Sequence, residues 1–200
     1  MGVLTSEDKS DLIHLVKCVY GIKSEAVQEA FLSKARIHKL SAKDILIQEN
    51  EAVHEVPFLL QGITKGYSKN FKGDLQVHCF QHLKGEVPLG ITYLSFPMIT
   101  MHTIEAVTPC RIALLPLEFI YELTKTNLEA ALVCNRMVGR CSRKVYEEKQ
   151  ILLQYNLSQR YEYFRDTYPD LLPYLNKKDI ASFLNMTPES FSRVLKKVEE

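Results

Sequence analysis

The C-terminal part of the chain carries polar side chains of the types and spacing that read DNA bases from a helix. Residues 187–197 are Thr-Pro-Glu-Ser-Phe-Ser-Arg-Val-Leu-Lys-Lys. The Thr187 hydroxyl suits the exposed N–H groups at a helix start, and Pro188 suits the first helical position, where no N–H is needed. Arg193 has the geometry to bond guanine O6 and N7 together, and Glu189 to accept from cytosine N4. These residues predict a helix with a base-reading face.

Two short amphipathic helices with a tight break between them position this face. Asn185 tolerates a left-handed backbone and ends the first helix. Ala181 is small where two crossing helices approach closely. The pattern predicts a helix-turn-helix whose second helix enters a major groove, and the common alternative is a pair of packing helices. The apolar residues at helical spacing are Ile180, Ala181, Phe183 and Leu184 in the first helix, and Phe191, Val194, Leu195 and Val198 in the second.

Residues 179–197 resemble the DNA-reading helix pair of the Crp/Fnr family of bacterial transcription regulators. The family pattern is Ile-Ala-x-x-Leu-Gly-x-Thr-x-Glu-Thr-x-Ser-Arg-x-Leu. This chain has Ile-Ala-Ser-Phe-Leu-Asn-Met-Thr-Pro-Glu-Ser-Phe-Ser-Arg-Val-Leu. The preceding segment 160–173, with its Arg-Tyr start and Leu-Leu-Pro end, resembles a subgroup of the family. The resemblance implies a cytoplasmic homodimer that binds double-stranded DNA, with RNA polymerase as a further partner.

One set of side chains is expected to contact the DNA. Thr187, Ser190 and either Lys177 or Lys178 are expected to hold phosphates. Pro188 stands where the family frequently has a basic or polar residue, so a base contact is expected to be lost there. Residues 176–200 hold five basic and four acidic side chains, a net charge of +1, so non-specific affinity should be modest and salt-sensitive. The whole set is Lys177, Lys178, Thr187, Pro188, Glu189, Ser190, Ser192, Arg193, Lys196 and Lys197.

Short apolar runs separated by turn residues indicate β-strands between residues 36 and 115. Apolar and polar residues alternate clearly in Leu-Gln-Val-His-Cys-Phe at 75–80. Many short strands at this spacing predict an antiparallel roll or barrel. The double-stranded β-roll sensor domain of the family covers this region. Residues 58–63 resemble its strand followed by a glycine turn, and residues 84–90 resemble the segment that leads into its ligand pocket.

The positions that bind cyclic nucleotides in the family have other residues in this chain. Such members use a Gly-Glu pair for the ribose and an Arg-Ser/Thr-Ala segment whose guanidinium holds the cyclic phosphate, because a buried phosphate needs a cationic partner. No arginine lies between Arg36 and Arg111. We therefore expect an unknown effector other than cyclic AMP or cyclic GMP, or none; a lone histidine here is more commonly structural. The corresponding pocket residues are Gly90, Ile91, Thr100, Met101 and His102.

A long helix is predicted from its cap at Asn127 to about Leu153. Its apolar stripe recurs at intervals close to a coiled-coil seam. The family resemblance implies that this helix pairs with its copy in a homodimer. The alternative is that the stripe packs on the β-roll. The seam residues are Ala130, Cys134, Met137, Cys141 and Val145.

These elements together predict an α+β chain. Its parts are an N-terminal double-stranded β-roll with flanking helices, similar to a cyclic nucleotide-binding domain, then a long dimerisation helix, then a helical helix-turn-helix domain. Residues 1–126 form the sensor domain with its N-terminal helices, which are broken at Gly21 and restart after Ser24. Residues 127–155 form the dimerisation helix, and residues 156–200 form the DNA-binding domain.

Composition and motif content argue against other classes. Of 200 residues 46% are hydrophobic, and the net charge of +1 leaves DNA binding to local clustering. Five scattered cysteines form no Cys-x-x-Cys pair, and six histidines lack the His-x-His spacing of a cupin-like site, so we expect no metal, no cofactor and no enzyme activity. We expect no signal peptide and no membrane contact.

One alternative function stays open at this stage. A sensor or protein-interaction module with vestigial DNA binding is favoured by the near-neutral charge. It is also favoured by the sequence after the second helix, which holds no wing.

Overall fold

Two helices open the chain and pack beneath a β-roll. The first, α1 (Ser6–His14), runs into a π-helical turn over Leu15–Val19, and α2 spans Glu25–Lys34. Gly21 has a φ of 69° between them, and the Ser24 hydroxyl caps α2, so both predictions for this region are confirmed. The computed structural model describes residues 4–71, 73–88 and 98–199.

Seven strands in the described part of the chain form two antiparallel sheets. The three-stranded sheet has the order β1-β7-β3, and the four-stranded sheet has the order β2-β6-β4-β5. This is the predicted antiparallel roll. The strands are β1 (Arg36–Leu40), β2 (Ile45–Ile47), β3 (Glu55–Gln61), β4 (Thr64–Lys69), β5 (Leu75–Gln81), β6 (Thr103–Ala106) and β7 (Cys110–Pro116).

The turn between β3 and β4 explains the glycine in the motif at 58–63. Gly62 has a φ of 100°, which favours glycine. A Cβ atom there would lie 2.5 Å from the Pro109 carbonyl oxygen and 2.6 Å from Cys110 Sγ. The backbone of β7 therefore approaches this turn too closely for any side chain.

Five α-helices and a short 3-10 turn follow the roll in the described residues. The Asn127 side chain accepts from the Ala130 N–H at 3.0 Å, which confirms the predicted cap of the long helix. None of the helices in the described residues combines the length and apolarity that a bilayer crossing requires. A 3-10 turn lies at Pro169–Leu171, and the α-helices are α3 (Leu117–Thr126), α4 (Leu128–Gln154), α5 (Leu157–Thr167), α6 (Lys177–Phe183) and α7 (Pro188–Glu199).

The described residues form three hydrophobic clusters. One joins the N-terminal helices to β3, β7, α3 and α4, and a smaller one lies around Leu59 and Ile112 of the roll. The third cluster joins β4 and β5 to the C-terminal helices: the Phe80 ring lies 5.3 Å from Phe183 and 6.2 Å from Phe164, centroid to centroid. The helix-turn-helix is thus packed on the roll through apolar side chains.

Candidate nucleic-acid interface

The turn between α6 and α7 is held by backbone geometry. Asn185 has a φ of 53°, as predicted for the residue that ends the first helix. The Met186 N–H donates to the Ala181 carbonyl at 2.9 Å, and the Asn185 N–H donates to the Ser182 carbonyl at 3.0 Å. Ala181 is 1% exposed at this crossing. A larger side chain would separate the two helices, which explains the small residue.

The start of α7 is capped as the sequence predicts. The Ser190 N–H donates to Thr187 Oγ1 at 3.2 Å, and Pro188 is the first residue of the helix. Phe191, Val194 and Leu195 are buried against the rest of the C-terminal helices. Because these buried apolar residues occupy one face of α7, the opposite face of the helix points to solvent.

The structure places all ten predicted DNA contacts at the surface. Nine are exposed, and Ser190 is half-buried. Arg193 Nη2 donates to Ser190 Oγ at 3.3 Å, and the Ser192 hydroxyl donates to the Pro188 carbonyl at 2.9 Å. Lys177 and Lys178 start α6, while Glu189, Arg193, Lys196 and Lys197 follow one another along α7. The face is therefore rich in hydrogen-bond donors and acceptors with little internal pairing.

Glu189 is held as an anion on this face. Its own backbone N–H and then the Thr187 hydroxyl lower the pKa of its carboxyl group. An ionised carboxylate only accepts hydrogen bonds, as contact with cytosine N4 requires.

α6 is fastened to the roll by polar contacts that sequence reasoning missed. Ser182 Oγ accepts from the Val77 N–H at 2.9 Å and donates to the Leu75 carbonyl at 3.0 Å. Among the described strands β5 lies at the edge of its sheet, so this serine satisfies groups that no described neighbouring strand pairs. Asp179 lies 2.9 Å from Lys65 Nζ, which also lies 3.3 Å from Glu105. A sequence gives no local signal for contacts between such distant positions.

The described pocket residues differ in burial and in hydrogen bonding. Thr100 is buried, and its hydroxyl donates to the His102 carbonyl at 2.6 Å, whereas Met101 is 70% exposed. The His102 ring lies 4.4 Å from the His78 ring, centroid to centroid. Burial and then the neighbouring His78 lower the pKa of His102 to about 4, so its ring is neutral near pH 7. Gly90 and Ile91 lie outside the described residues.

The acid that follows Gly85 is also engaged by the fold. Glu86 Oε2 accepts from the His82 N–H at 2.7 Å and from the Leu83 N–H at 2.9 Å. Lys144 of α4 donates to the Phe80 carbonyl at 3.1 Å and lies 3.5 Å from Glu86. Lys144 therefore joins the long helix to the roll.

The predicted seam of the long helix faces its own protomer over much of its length. Ala130 is buried, and Cys134 and Met137 pack against the core that α4 shares with the roll. The alternative, in which the stripe packs on the roll, describes these three residues. Cys141 is half-buried, and Val145 is exposed. An amphipathic stripe shows that a face is covered without showing what covers it, so the pairing of this seam with a second copy stays a prediction.

A different face of α4 is open to solvent. Leu132, Tyr146 and Leu153 are 50%, 63% and 69% exposed and lie on one heptad position, with Gly139 on the same line. Leu128 lies one turn before Leu132 and is 75% exposed.

Within the described residues no group of three or more His, Cys, Asp or Glu side chains could hold a metal ion.

A β-roll followed by a long helix and a helix-turn-helix defines an architecture seen in known transcription regulators. Three solved structures share it. FixK2 from Bradyrhizobium japonicum is 18% identical over 82% of this chain and 84% of its own, with a TM-score of 0.69. The c-di-GMP responsive global regulator CLP from Xanthomonas campestris is 15% identical over 88% and 92%, with a TM-score of 0.66. A proposed transcriptional regulator of the Crp/Fnr family from Eubacterium rectale is 14% identical over 91% and 86%, with a TM-score of 0.71.

These likenesses show that the chain has the fold of the Crp/Fnr regulators, as the motif at 179–197 predicts. No family model matches the sequence, and no curated protein matches it significantly.

Proposed function

We propose that the protein is a DNA-binding transcription regulator. It acts in the cytoplasm as a homodimer, reads a roughly palindromic operator, and responds to an effector other than a cyclic nucleotide, if to any. The observation that carries this proposal is the exposed polar face of α7, whose opposite face is buried in the helix-turn-helix core. A helix in this setting places Arg193 and Glu189 where base edges of a major groove are accessible.

The structural likenesses support the same function. CLP is named as a global regulator of gene expression, and the Eubacterium rectale protein as a transcriptional regulator. Each of the three likenesses covers more than four-fifths of this chain. The proposal for this chain rests on its own reading face together with that shared arrangement.

The dimer is proposed to form through the solvent-facing side of α4. Leu132, Tyr146 and Leu153 recur every seven or fourteen residues, and a second copy would cover them. Gly139 between them has open space around the position of a Cβ atom, so two helices can approach closely there. Two α7 helices related by a two-fold axis would then read half-sites about one helical turn apart.

Leu132→Asp tests the dimer. It would place an unpaired carboxylate in the covered seam, which costs several kcal/mol, so we expect the dimer dissociation constant to rise by about a hundredfold or more. Analytical ultracentrifugation measures the change. Leu75→Asp is the matched control, since Leu75 is 43% exposed on β5 and lies opposite Lys69. An unchanged dimer in the Leu132 variant would rule out this face.

Selection from a random pool of duplexes tests DNA reading. The full chain is mixed with the pool at two salt concentrations, and the bound duplexes are sequenced. We expect an enriched palindrome at both, with weaker total binding at the higher salt because phosphate contacts release counterions. No enrichment at low salt would contradict the proposal and favour the protein-interaction alternative.

The proposal that any effector is not a cyclic nucleotide rests on residues 100–102 of the roll. Thr100 and His102 are engaged by the roll itself, and Met101 points to solvent, so the described segment offers no cation for a cyclic phosphate.

A further inference from the structure

The joint between the long helix and the DNA-reading unit is only two residues long. Tyr155 has φ and ψ of −92° and 141°, and Asn156 has −72° and 170°. Both are extended, and both are exposed. Two exposed extended residues do not by themselves fix the angle between the helices they join. Contacts that cross the joint must do so: Tyr168 Oη at the end of α5 donates to Glu148 Oε1 of α4 at 2.9 Å, the apolar core around Phe80 holds the C-terminal helices on the roll, and Arg160 acts at the joint itself.

Arg160 of α5 makes three hydrogen bonds, of which the one to Leu152 crosses the joint and the one to Tyr155 reaches into it. Its Nη2 donates to the Leu152 carbonyl at 2.8 Å, its Nε to the Tyr155 carbonyl at 3.0 Å, and its Nη1 to the Leu184 carbonyl at 3.2 Å. The guanidinium group is planar and holds its donors in a rigid fork. One rigid group therefore joins the end of α4, the joint itself and the end of α6.

The charge of Arg160 suits this position. The last carbonyls of a helix lack intrahelical partners and carry a partial negative charge. Neither α4 nor α6 has a basic residue in its last turn. Arg160 supplies, from a third helix, a cation that both helix ends lack. Both C-terminal ends are thereby attracted to the same guanidinium.

The third acceptor connects Arg160 to the reading helix. Leu184 is the residue at which α6 ends, and α7 begins at Pro188 after the left-handed turn at Asn185. Asp179, near the other end of α6, is paired with Lys65 of the roll. Arg160 thus holds one end of α6 to α4, and Asp179 holds the other end to β4.

We propose that Arg160 is a positioning residue that sets the angle between α4 and α7, and with it the half-site spacing that the dimer accepts. This inference rests on the proposed function. With α4 on the two-fold axis, a rotation at residues 155–156 moves the two α7 helices relative to each other. Half-sites follow the turns of the DNA helix, so such a rotation changes which spacing fits.

The spacing preference of Arg160 variants tests this directly. Full-chain wild type, Arg160→Ala and Arg160→Lys are titrated with duplexes that carry the selected half-sites at the selected spacing or with one or two base pairs added or removed. Arg165→Ala is the matched control, because Arg165 is on the same helix and bonds the neighbouring Asp166. We expect wild type and control to lose about tenfold or more in affinity per added base pair, and Arg160→Ala less than about threefold.

Single half-site duplexes separate positioning from folding. Arg160→Ala should bind them as wild type does once the folded fraction is known from circular dichroism, because α7 is untouched. Arg160→Lys keeps the charge but offers a compact ammonium in place of the fork, so its spacing preference should be intermediate. An unchanged spacing preference in Arg160→Ala, with only a lower stability, would overturn the proposal.

A measurement without DNA distinguishes this proposal from the proposed function. Non-natural residues that carry spin labels replace Glu147 of α4 and Lys196 of α7, and the distance between the two labels is measured. The labelled chain is diluted into unlabelled chain so that only distances within one protomer contribute. We expect a narrow distance distribution in wild type and Arg165→Ala and a broad one in Arg160→Ala. Equal widths would refute the role of Arg160. Failure of wild type to bind any duplex would refute the proposed function, while the distances still decide whether Arg160 fixes the angle.

Discussion

The reading face of α7 and the pocket positions at 100–102 use their polar side chains in opposite ways. On α7 the side chains of Glu189, Arg193 and Lys196 project into solvent from a helix whose other face is buried. In the roll, the Thr100 hydroxyl bonds the chain that follows it, and His102 stacks on His78. One region exposes its polar side chains to solvent, whereas in the other Thr100 bonds its own backbone and His102 is half-buried against His78.

The difference follows from where each region would meet a phosphate. An exposed lysine or arginine binds a DNA phosphate at little cost, since the site stays hydrated. A cyclic phosphate in a roll must be desolvated, so a cation or several donors have to be built in beside it. The chain meets the first requirement and, within the described residues at 100–102, does not meet the second. The exposed side chains of α7 therefore suit a hydrated phosphate, and the described residues at 100–102 do not suit a buried one.

The strongest test of this comparison concerns the core that joins the two ends. Phe80 of the roll is 1% exposed against Phe164 and Phe183. Phe80→Ala should lower the free energy of unfolding by about 3–5 kcal/mol, measured by urea denaturation. Phe71→Ala, at a fully exposed phenylalanine, should change it by less than about 0.5 kcal/mol. Similar small effects in both variants would mean that the roll and the reading helices do not share a core.

Arg193→Ala tests the reading face alone. Losing a bidentate base contact should cost about 1–3 kcal/mol on the selected operator and relax the preference at one base position. Binding measurements on operators substituted one position at a time show this. Arg165→Ala should leave every operator unaffected. A uniform loss over all sequences would instead assign Arg193 to the phosphates.

The half-buried His102 of the pocket segment predicts a pH effect. The pKa of His102 is about 4 in the folded chain, below the value of about 6.5 for an unfolded histidine. The unfolded chain therefore takes up this proton first, so stability is full above about pH 6.5 and falls as the pH drops toward 4. Burial also lowers the pKa of His78, while Glu49 opposes that shift.

Melting temperatures between pH 4 and 7 measure this effect. His102→Gln should show a shallower decline than wild type, because one protonation site that favours unfolding is gone. His14→Gln, on the exposed side of α1, should follow the wild-type curve. Parallel curves for all three proteins would contradict the assignment to His102.

The smallest expected effect is that of cyclic nucleotides on the melting temperature, which should be zero. Cyclic AMP or cyclic GMP at millimolar concentration should leave the melting temperature unchanged, since a ligand that binds the folded state raises it. Differential scanning fluorimetry measures this. A concentration-dependent rise would show that another cation replaces the missing arginine, and the contrast between the two regions would then disappear.

Local patterns were sufficient for much of the fold. Asn127, Thr187 and Asn185 end or begin helices through interactions with residues at most four positions away, so their roles are legible in the sequence. The exposed residues of α7 follow from a period of 3.6 in the same way. Gly62 stands in the motif at 58–63 because the start of β7 approaches this turn closely. The sequence shows a glycine turn there, but it does not show which segment lies against the glycine.

Only the tertiary structure decided what each apolar or polar face contacts. The stripe at Cys134 and Met137 packs against the core that the N-terminal helices share with β3, β7 and α3, whereas Leu132 and Tyr146 lie open to solvent. Arg160 bridges the ends of two helices, one of them 24 residues away, and Lys65 pairs with Asp179 across 114 residues. Periodicity and capping are properties of neighbouring residues, whereas the partner of a buried face or a buried charge depends on how distant segments are brought together.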